Sequence, residues 1–154
     1  MIFIAHRGNT AGPSTQENNP SYILTALAMG FNVEIDVWFV DGKFVLGHDS
    51  PQYEIQKSFL VNPYFWHHAK NIDALFQLNR LHPNYLINCF FHDSDECVIT
   101  SGGWLWTYPG KQLTTDSIAV MPERIKEQYN LSQAYGICSD YVIEYSNNLN
   151  FKLS

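Results

Sequence analysis

The chain alternates short apolar runs with segments of helical period, and this order restricts it to a mixed α/β fold. The first run, Ile2 to Ala5, is apolar at every position and ends directly at His6-Arg7-Gly8. A strand that is apolar on both faces is typical of a parallel sheet, because the crossovers between parallel strands cover both sides of the sheet. Strands that alternate with helices also indicate parallel pairing with right-handed crossovers.

Helices are predicted in three places. They cover residues 20–29, 72–81 and 122–128. The first helix opens at Pro20 and is followed by Gly30, which is the usual asymmetry between the two ends of a helix, and Asn71 is positioned to cap the second. Residues 51–63 have no clean period and are predicted to be a loop.

Strands are predicted for the other apolar runs, over residues 2–5, 31–40, 43–47, 64–68, 85–91, 104–108, 117–121 and 136–142. Asp41-Gly42 is a strong signal for a tight hairpin between two of them. A closed eightfold barrel of strands and helices typically needs about 250 residues, whereas this chain has 154 residues. We therefore predict a reduced TIM-barrel-like α/β fold with about seven strands and several missing helices.

One domain is expected over residues 1–154, because no linker, repeat or low-complexity tract divides the chain. Where helices are missing, the outer face of the sheet needs other cover. Aromatic residues are frequent between residues 85 and 108, so loops or a second subunit are candidates for that cover. A homodimer is therefore compatible with the sequence.

Composition narrows the classes of function. The chain is 45% hydrophobic and 16% charged, with a formal net charge of -6 at pH 7. It lacks the broad positive field that nucleic acid or an anionic membrane surface needs, although a small phosphate ester is compatible with this charge. The 3 cysteines include no Cys-x-x-Cys pair, and the apolar start is too short for a signal peptide or a membrane span. We expect a cytoplasmic protein without an integral membrane segment.

Two acidic side chains share one face of a predicted strand. Side chains alternate with a period of two along a strand, so Glu34 and Asp36 point one way and Ile35 points the other way. Two buried carboxylates need a cation, and oxygen ligands on a rigid strand suit Mg²⁺ or Ca²⁺, with Mn²⁺ as a further candidate. An isolated Glu-x-Asp is more often the wet face of an exposed strand, so the surroundings decide between the two interpretations.

Polar clusters follow the neighbouring strands at matching positions. His6-Arg7 ends the first strand, Glu34 and Asp36 lie on the second, and His48 follows the hairpin. The carboxyl ends of parallel strands meet at one edge of an α/β sheet, where ligands bind. Two histidines beside an arginine and a carboxylate pair at that edge are typical of a catalytic acid and base.

The order of these motifs resembles the glycerophosphodiester phosphodiesterases. The matching segments are His6-Arg7-Gly8, Glu17-Asn18-Asn19-Pro20-Ser21, Glu34-Ile35-Asp36-Val37 and Leu46-Gly47-His48-Asp49. They cover about the first third of the chain in the same order and at the same spacing as in that family. The resemblance implies a barrel of the phosphatidylinositol phospholipase C-like superfamily, with a divalent metal and two catalytic histidines.

The resemblance also implies roles for single residues. The implied set is the acid and base His6 and His48, the phosphate-binding Arg7, and the metal ligands Glu34 and Asp36. Glu17 matches the glutamate of the family's Glu-Asn-Thr motif, as a metal ligand or as a group beside the ligands.

The third strand departs from the family pattern. The family has Glu-x-Lys there, in which the glutamate completes the metal site and the lysine contacts phosphate. This chain has His68-Ala69-Lys70 with the same period of two, so we expect His68 to replace the ligand and Lys70 to keep the phosphate role. An imidazole ligand tolerates Mn²⁺ or Zn²⁺ better than Ca²⁺. The other interpretation is that His67 and His68 are packed or surface aromatic residues.

Later strand ends carry weaker signals. They are His92-Asp93, Trp104, Trp106 and Ser139-Asp140. Each is interpreted as lining the pocket or, alternatively, as a packing residue or turn cap. Residues 50–63 and 92–116 match no motif, so the sequence leaves open which alcohols the substrate carries.

The implied function is metal-dependent hydrolysis of a glycerophosphodiester-like substrate, a reaction of lipid metabolism. The resemblance suggests that a hydroxyl of the substrate attacks first and forms a cyclic phosphate, which water then opens. Two alternatives stay open: a phospholipase D-like lyase of the sphingomyelinase D type, and a non-catalytic barrel that binds a phosphorylated ligand. The chain has neither a Gly-x-Ser-x-Gly elbow nor a Gly-rich phosphate loop, so serine hydrolase and nucleotide triphosphate chemistry are unsupported.

Overall fold

The computed structural model describes residues 1–126 and 129–150, which form ten strands, four α-helices and two 3-10 turns. The strands are β1 (Ile2–His6), β2 (Asn32–Val40), β3 (Lys43–Leu46), β4 (Tyr53–Ile55), β5 (Phe65–Ala69), β6 (Asn88–Phe90), β7 (Cys97–Ile99), β8 (Leu105–Thr107), β9 (Ser117–Val120) and β10 (Gly136–Ser139). The helices are α1 (Pro20–Ala28), α2 (Lys57–Leu60), α3 (Ile72–Tyr85) and α4 (Val142–Asn150). The 3-10 turns are Pro122–Arg124 and Leu131–Gln133.

Seven parallel strands form the centre of one sheet, in the order β6-β5-β2-β1-β10-β9-β8. β1 pairs with β2 only as far as Glu34, and β3 becomes the antiparallel neighbour of β2 from Val37 onward. β4 and β7 add antiparallel edges to β3 and β8. The sheet is strongly curled into a half-barrel. The predicted α/β class with a mostly parallel sheet is confirmed.

The two faces of the curled sheet hold two separate apolar clusters. On the convex face, Ala5 and Ile35 belong to the cluster that packs under α1 and α3. On the concave face, Phe90 packs against Trp106 and Trp106 against Trp66, with ring centroids 4.5 and 5.8 Å apart. Because side chains alternate along each strand, this division decides which residues can reach a site inside the half-barrel.

Loops of the same chain cover the outer face of β9. Leu113, Ala119 and Ala134 form a small buried cluster, and Tyr129 and Leu131 pack against it. The crossover before β9 is a loop, and the described part of the crossover after β9 contains loops and the two 3-10 turns. The chain therefore supplies cover here itself, and the homodimer stays a prediction.

α3 is longer than predicted. It continues past the expected end at Leu81 to Tyr85, with Pro83 in its last turn, and Leu86 closes it with a left-handed backbone, φ 53°. A proline so close to the end removes one backbone hydrogen bond without preventing the turn. The strand predicted over 85–91 is therefore wrong in its first half and shrinks to β6.

The last predicted strand, 136–142, is also wrong at its end. β10 stops at Ser139, and Val142 begins α4, which was not predicted. Val142 is completely buried, and an apolar pattern of this length suits a strand end and a helix start equally.

Short elements account for the other differences. The helix predicted over 122–128 is a 3-10 turn, Pro122–Arg124, and residues 127–128 lie outside the described residues. The loop predicted over 51–63 contains β4 and α2, and β7 was not predicted. Elements of 3 or 4 residues are too short to show a period. Among the described helices, none has the length and apolar character that a membrane span needs.

Replacement of Gly47 by alanine is expected to destabilise the protein more than the same change at Gly42. Both glycines have a positive φ, 150° and 78°, but a Cβ on Gly47 would lie 2.1 Å from the Ser50 carbonyl oxygen, whereas a Cβ on Gly42 meets nothing within 4 Å. The left-handed backbone alone costs about 1 kcal/mol for alanine. The added overlap at Gly47 should raise the loss to about 3 kcal/mol or more. Urea denaturation measures both losses, and equal values would contradict this explanation.

Candidate active site

A cavity of about 270 Å³ lies at the carboxyl ends of the central parallel strands. His6 ends β1 opposite Glu34 of β2, and Asp36 of β2 is opposite His68 of β5. These side chains occupy the concave face because they alternate with the residues of the convex cluster. Six of the predicted site residues line the cavity: His6, Arg7, Glu34, His48, His68 and Lys70.

Glu34, Asp36 and His68 form a group that could hold a metal ion, here called the triad. One ligand atom from each lies within 4.8 Å of the others. His68 Nδ1 is 3.0 Å from Asp36 Oδ1 and 3.7 Å from Glu34 Oε1. Glu34 is 2% exposed and Asp36 is 0% exposed.

The donor set of the triad fits a divalent cation. Among the described residues, Asp36 Oδ1 has no hydrogen bond of good geometry, although His68 Nδ1 is 3.0 Å away. Two ligand atoms that each lie about 2.1 Å from one metal ion, at a right angle to each other, are about 3.0 Å apart. The Asp36 and His68 atoms have this separation and no directed N–H between them, so they are placed as two ligands of one ion would be. Two carboxylates and one imidazole suit Mn²⁺ or Zn²⁺ as well as Mg²⁺. The choice of Mg²⁺ or Ca²⁺ stays a prediction.

The two carboxylates of the triad differ in their surroundings. Burial and the nearby Asp36 charge raise the pKa of Glu34. Burial also acts to raise the pKa of Asp36, but His68, Arg7 and Lys70 outweigh it and hold that pKa well below its usual range. Asp36 is therefore the more firmly charged of the two, and a cation at the triad would favour the ionised form of Glu34 as well.

Asn18 fixes the orientation of Asp36. Its amide donates to Asp36 Oδ2 at 2.9 Å, and its amide oxygen accepts the Asp36 backbone N–H at 2.9 Å. Asn18 is completely buried, and its backbone is left-handed, φ 62°. Both bonds to Asp36 are lost if Asn18 moves, so the loop before α1 is part of the site.

The structure places Glu17 beside Arg7 and outside the triad. Arg7 Nη1 donates to Glu17 Oε2 at 3.0 Å, and Asn9 Nδ2 donates to Glu17 Oε1 at 2.8 Å. Arg7 also approaches Asp36 Oδ2 through Nε at 3.0 Å. Glu17 thus holds Arg7 against the triad, and the geometry does not bring it together with the three ligand atoms.

Lys70 lies on the same face of the chain as His68. Its Nζ is 3.5 Å from Asp36 Oδ1. His67, one position from His68, lies on the convex side instead, where its ring nitrogens face the backbone carbonyls of Leu60 and Asn88 at 3.0 and 3.2 Å. The strand period thus separates the two neighbouring histidines.

His6 is held by an aspartate from the opposite end of the chain. His6 Nδ1 is 2.8 Å from Asp140 Oδ1, and its Nε2 is 4.0 Å from Glu34 Oε2. Asn9 Nδ2 donates to the same Asp140 oxygen at 2.8 Å. Burial opposes the charged form of His6, but the hydrogen bond to Asp140 and the charge of Glu34 outweigh it and raise the pKa of His6.

His48 stands at the rim of the cavity with a side chain that is 38% exposed. Its Nδ1 is 2.6 Å from Asp49 Oδ1. The preceding Gly47 is tied to β2, because its carbonyl accepts the Trp38 indole N–H at 2.6 Å. Burial lowers the pKa of His48. The two predicted catalytic histidines therefore line one cavity in different environments.

Aromatic rings line the side of the cavity next to His68. The His68 ring stacks on Phe90 and on His92, with centroids 5.0 and 5.1 Å apart, and His92 packs on Tyr108 at 4.2 Å. His92 and Trp106 line the cavity, which is one of the two roles expected for the residues at the later strand ends. Trp104 instead stacks on Tyr135 at 3.8 Å, outside the lining.

Several functional candidates were not found from the sequence. Asn9 and Tyr108 carried no motif that points to the site. Asp140 was expected to line the pocket or cap a turn, but its contact with His6 was not predicted. The signal that pointed to Asp140 was its place at the carboxyl end of a parallel strand, the edge of the sheet where His6 ends β1.

Asp140→Asn is expected to lower the pKa of His6. The change keeps the burial that disfavours the imidazolium and removes the anionic partner that favours it. Because the pKa of His6 is raised above its ordinary value of 6.5, the pair contributes stability below pH 6.5, which is lost as the pH rises through the folded-state pKa. NMR titration of the imidazole resonances in metal-free protein measures the change, with His48 as internal control. An unchanged His6 pKa would show that Asp140 is not the dominant partner.

His68→Phe is expected to weaken Mn²⁺ binding more than about tenfold, because it removes one of the three ligand atoms. The phenyl ring can keep the stacking on Phe90 and His92. Isothermal titration calorimetry measures the affinity. His92→Phe is the matched control, since it changes a cavity histidine outside the triad and should leave the affinity nearly unchanged. Wild-type affinity in His68→Phe would remove His68 from the ligand set.

Comparisons with protein-family models, with curated proteins and with solved structures found no match for this chain. A function for the chain therefore has to be argued from its own residues. The groups available for that argument are the triad, the two histidines and the cations around one cavity.

Proposed function

We propose that the protein is a metal-dependent phosphodiesterase that hydrolyses a glycerophosphodiester-like substrate in this cavity. The observation that carries the proposal is the convergence of the triad, two histidines and the cations Arg7 and Lys70 on one space of about 270 Å³. Cleavage of a phosphodiester needs its negative charge neutralised, the attacking hydroxyl deprotonated and the departing alcohol protonated. The cavity offers a group for each of these steps.

A reduced TIM barrel is the finer description of the fold that the proposal uses. Its support is the continuous order of seven parallel strands, with the site at their carboxyl ends. Among the described residues, no strand pairing joins β6 to β8. Ser101 bridges the gap instead: its N–H donates to the Cys89 carbonyl at 2.8 Å, and its Oγ accepts the Cys89 N–H at 2.9 Å. We infer that the Ser101 loop takes the place of the missing strand.

Arg7 and Lys70 bind the non-bridging oxygens of the phosphate in this proposal. Both lie against Asp36, at 3.0 and 3.5 Å, so an anion held at the triad is within reach of both cations. A divalent ion held by Glu34, Asp36 and His68 would supply Lewis-acid charge to the same phosphate. The carboxylate of Glu17 keeps the Arg7 guanidinium in place for this contact.

His48 is the base and His6 is the acid in this proposal. The Nδ1 of each ring is bonded to an aspartate, Asp49 or Asp140, and this contact leaves Nε2 for proton transfer. The side chain of His48 is 38% exposed and that of His6 is 11% exposed, so water reaches His48 more readily. His6 is buried beside carboxylates that favour its protonated form, so it suits the role of the acid that protonates the departing alcohol.

His6→Gln and His48→Gln are each expected to lower turnover by roughly 10²-fold to 10⁴-fold, the usual share of acid and base catalysis. Glutamine keeps a polar group near Asp140 and Asp49. The assay measures hydrolysis of glycerophosphodiesters and of bis(p-nitrophenyl) phosphate with Mg²⁺, Ca²⁺, Mn²⁺ or a chelator. His82→Gln is the control, since this histidine of α3 does not line the cavity. Circular dichroism checks that each variant is folded.

The outcomes separate the alternative functions. Metal-dependent turnover that is lost in both variants supports the phosphodiesterase. Full turnover in either variant would rule out the proposed acid and base. A cyclic phosphate that is never opened by water would indicate the lyase of the sphingomyelinase D type. Folded protein without turnover under any metal would favour a non-catalytic barrel that binds a phosphorylated ligand.

A further inference from the structure

A third cation, Arg124, lines the cavity across from the triad. Arg124 follows β9, whereas the triad lies on β2 and β5. The sheet order places β10 and β1 between β9 and β2. With about 4.8 Å between neighbouring strands, β9 and β2 are about 14 Å apart along the sheet, and the curl shortens the direct path. Arg124 therefore faces a different part of a bound substrate from the part that contacts the triad.

The turn that carries Arg124 is held in place. Glu123 Oε1 accepts hydrogen bonds from Ser139 Oγ at 2.8 Å and from the Asp140 backbone N–H at 3.0 Å. The Arg124 N–H donates to the Met121 carbonyl at 3.0 Å. These bonds fix the backbone of Arg124 relative to β10, so less freedom is lost when its guanidinium binds a ligand.

The other two cations of the cavity already have carboxylate partners. Arg7 pairs with Glu17 and Asp36, both at 3.0 Å, and Lys70 is 3.5 Å from Asp36. Within residues 1–126 and 129–150, no carboxylate lies at ion-pair distance from Arg124. Among the described residues, Arg124 is thus the cation of the cavity without a carboxylate partner, so its charge faces an anion that enters from solvent.

Beyond Arg124 the cavity adjoins a second, wider space of about 530 Å³, which Met121 and Arg124 also line. Glu144 lines only this outer space and not the cavity. The cavity side of Arg124 therefore favours a negative group, because Glu144 lies on the other side. The outer space leaves room for the remaining atoms of the substrate's alcohol portion.

We propose that Arg124 binds a second anionic group of the substrate, a carboxylate or a phosphate monoester on the alcohol that lies away from the triad. This inference rests on the proposed phosphodiesterase function, in which the diester phosphate occupies the end of the cavity near Arg7 and Lys70. A guanidinium forms two parallel hydrogen bonds with either kind of group. The substrate class is then a phosphodiester with an acidic alcohol portion, in preference to a diester of two neutral alcohols.

Binding of two matched ligands tests this inference without catalysis. 3-Phosphoglycerate and glycerol 3-phosphate share a phosphate, but the first has a carboxylate where the second has a hydroxymethyl group. With Mn²⁺ present, we expect the wild type to bind 3-phosphoglycerate at least about tenfold more tightly, a difference of about 1.4 kcal/mol. Arg124→Met should remove this preference and leave the affinity for glycerol 3-phosphate unchanged. Isothermal titration calorimetry provides the affinities.

Arg80→Met is the matched control, because Arg80 is an exposed arginine of α3 that packs over Phe76 and does not line the cavity. It should keep the preference of the wild type. Equal affinity of the wild type for the two ligands, no binding of either, or a preference that survives Arg124→Met would overturn the inference. A protein that shows the Arg124-dependent preference but hydrolyses no phosphodiester would overturn the proposed function alone.

Discussion

Two carboxylates buried side by side on one strand set the electrostatic requirement that the rest of the site meets. Glu34 and Asp36 are shielded from water, and an uncompensated pair of this kind would strongly destabilise the fold. The compensation comes from other strands: Arg7 follows β1, and His68 and Lys70 belong to or follow β5. The pairing of β2 with both β1 and β5 is therefore a condition for burying these charges, as well as a feature of the topology.

The same requirement explains the unusual backbone beside the site. Arg7 and Asn18 have left-handed backbones, φ 54° and 62°, although neither is a glycine. In these conformations the Arg7 N–H donates to Glu34 Oε2 at 3.1 Å, and Asn18 bonds to both the side chain and the backbone of Asp36. Strain of this size is typical of sites where the surrounding hydrogen bonds offset it. The loop after β1 is thus built around the carboxylates of β2.

The sequence predicted which side chains of the candidate site share one face of a strand. It did not predict which strands become neighbours. The shared face of Glu34 and Asp36 follows from the period of two, and so does the shared face of His68 and Lys70. The sequence left open whether His68 was a ligand or a packed ring, and the structure brings it to the triad. The contact of Asp140 with His6 could not be predicted, because it requires β10 to pair with β1, a choice that local patterns do not encode.

Fold prediction failed mainly where local patterns suit two structures. The apolar residues at Tyr85 and Val142 fit a strand and a helix equally well, and only packing against the sheet decides between them. The general α/β class survived these errors, because it depends on the alternation of elements along the chain and not on their ends.

The contact between His6 and Asp140 joins residues that are 134 positions apart. β1 leaves the ribosome well before its partner β10, because β10 lies far downstream along the chain. At about 5–20 residues per second, the 134 positions between them correspond to a wait of about 7 to 27 seconds. During this interval His6 lacks its aspartate and one edge of β1 is unpaired. The contact between His6 and Asp140 can therefore form only after β10 has been made, and until then one edge of β1 is open to pairing with another chain.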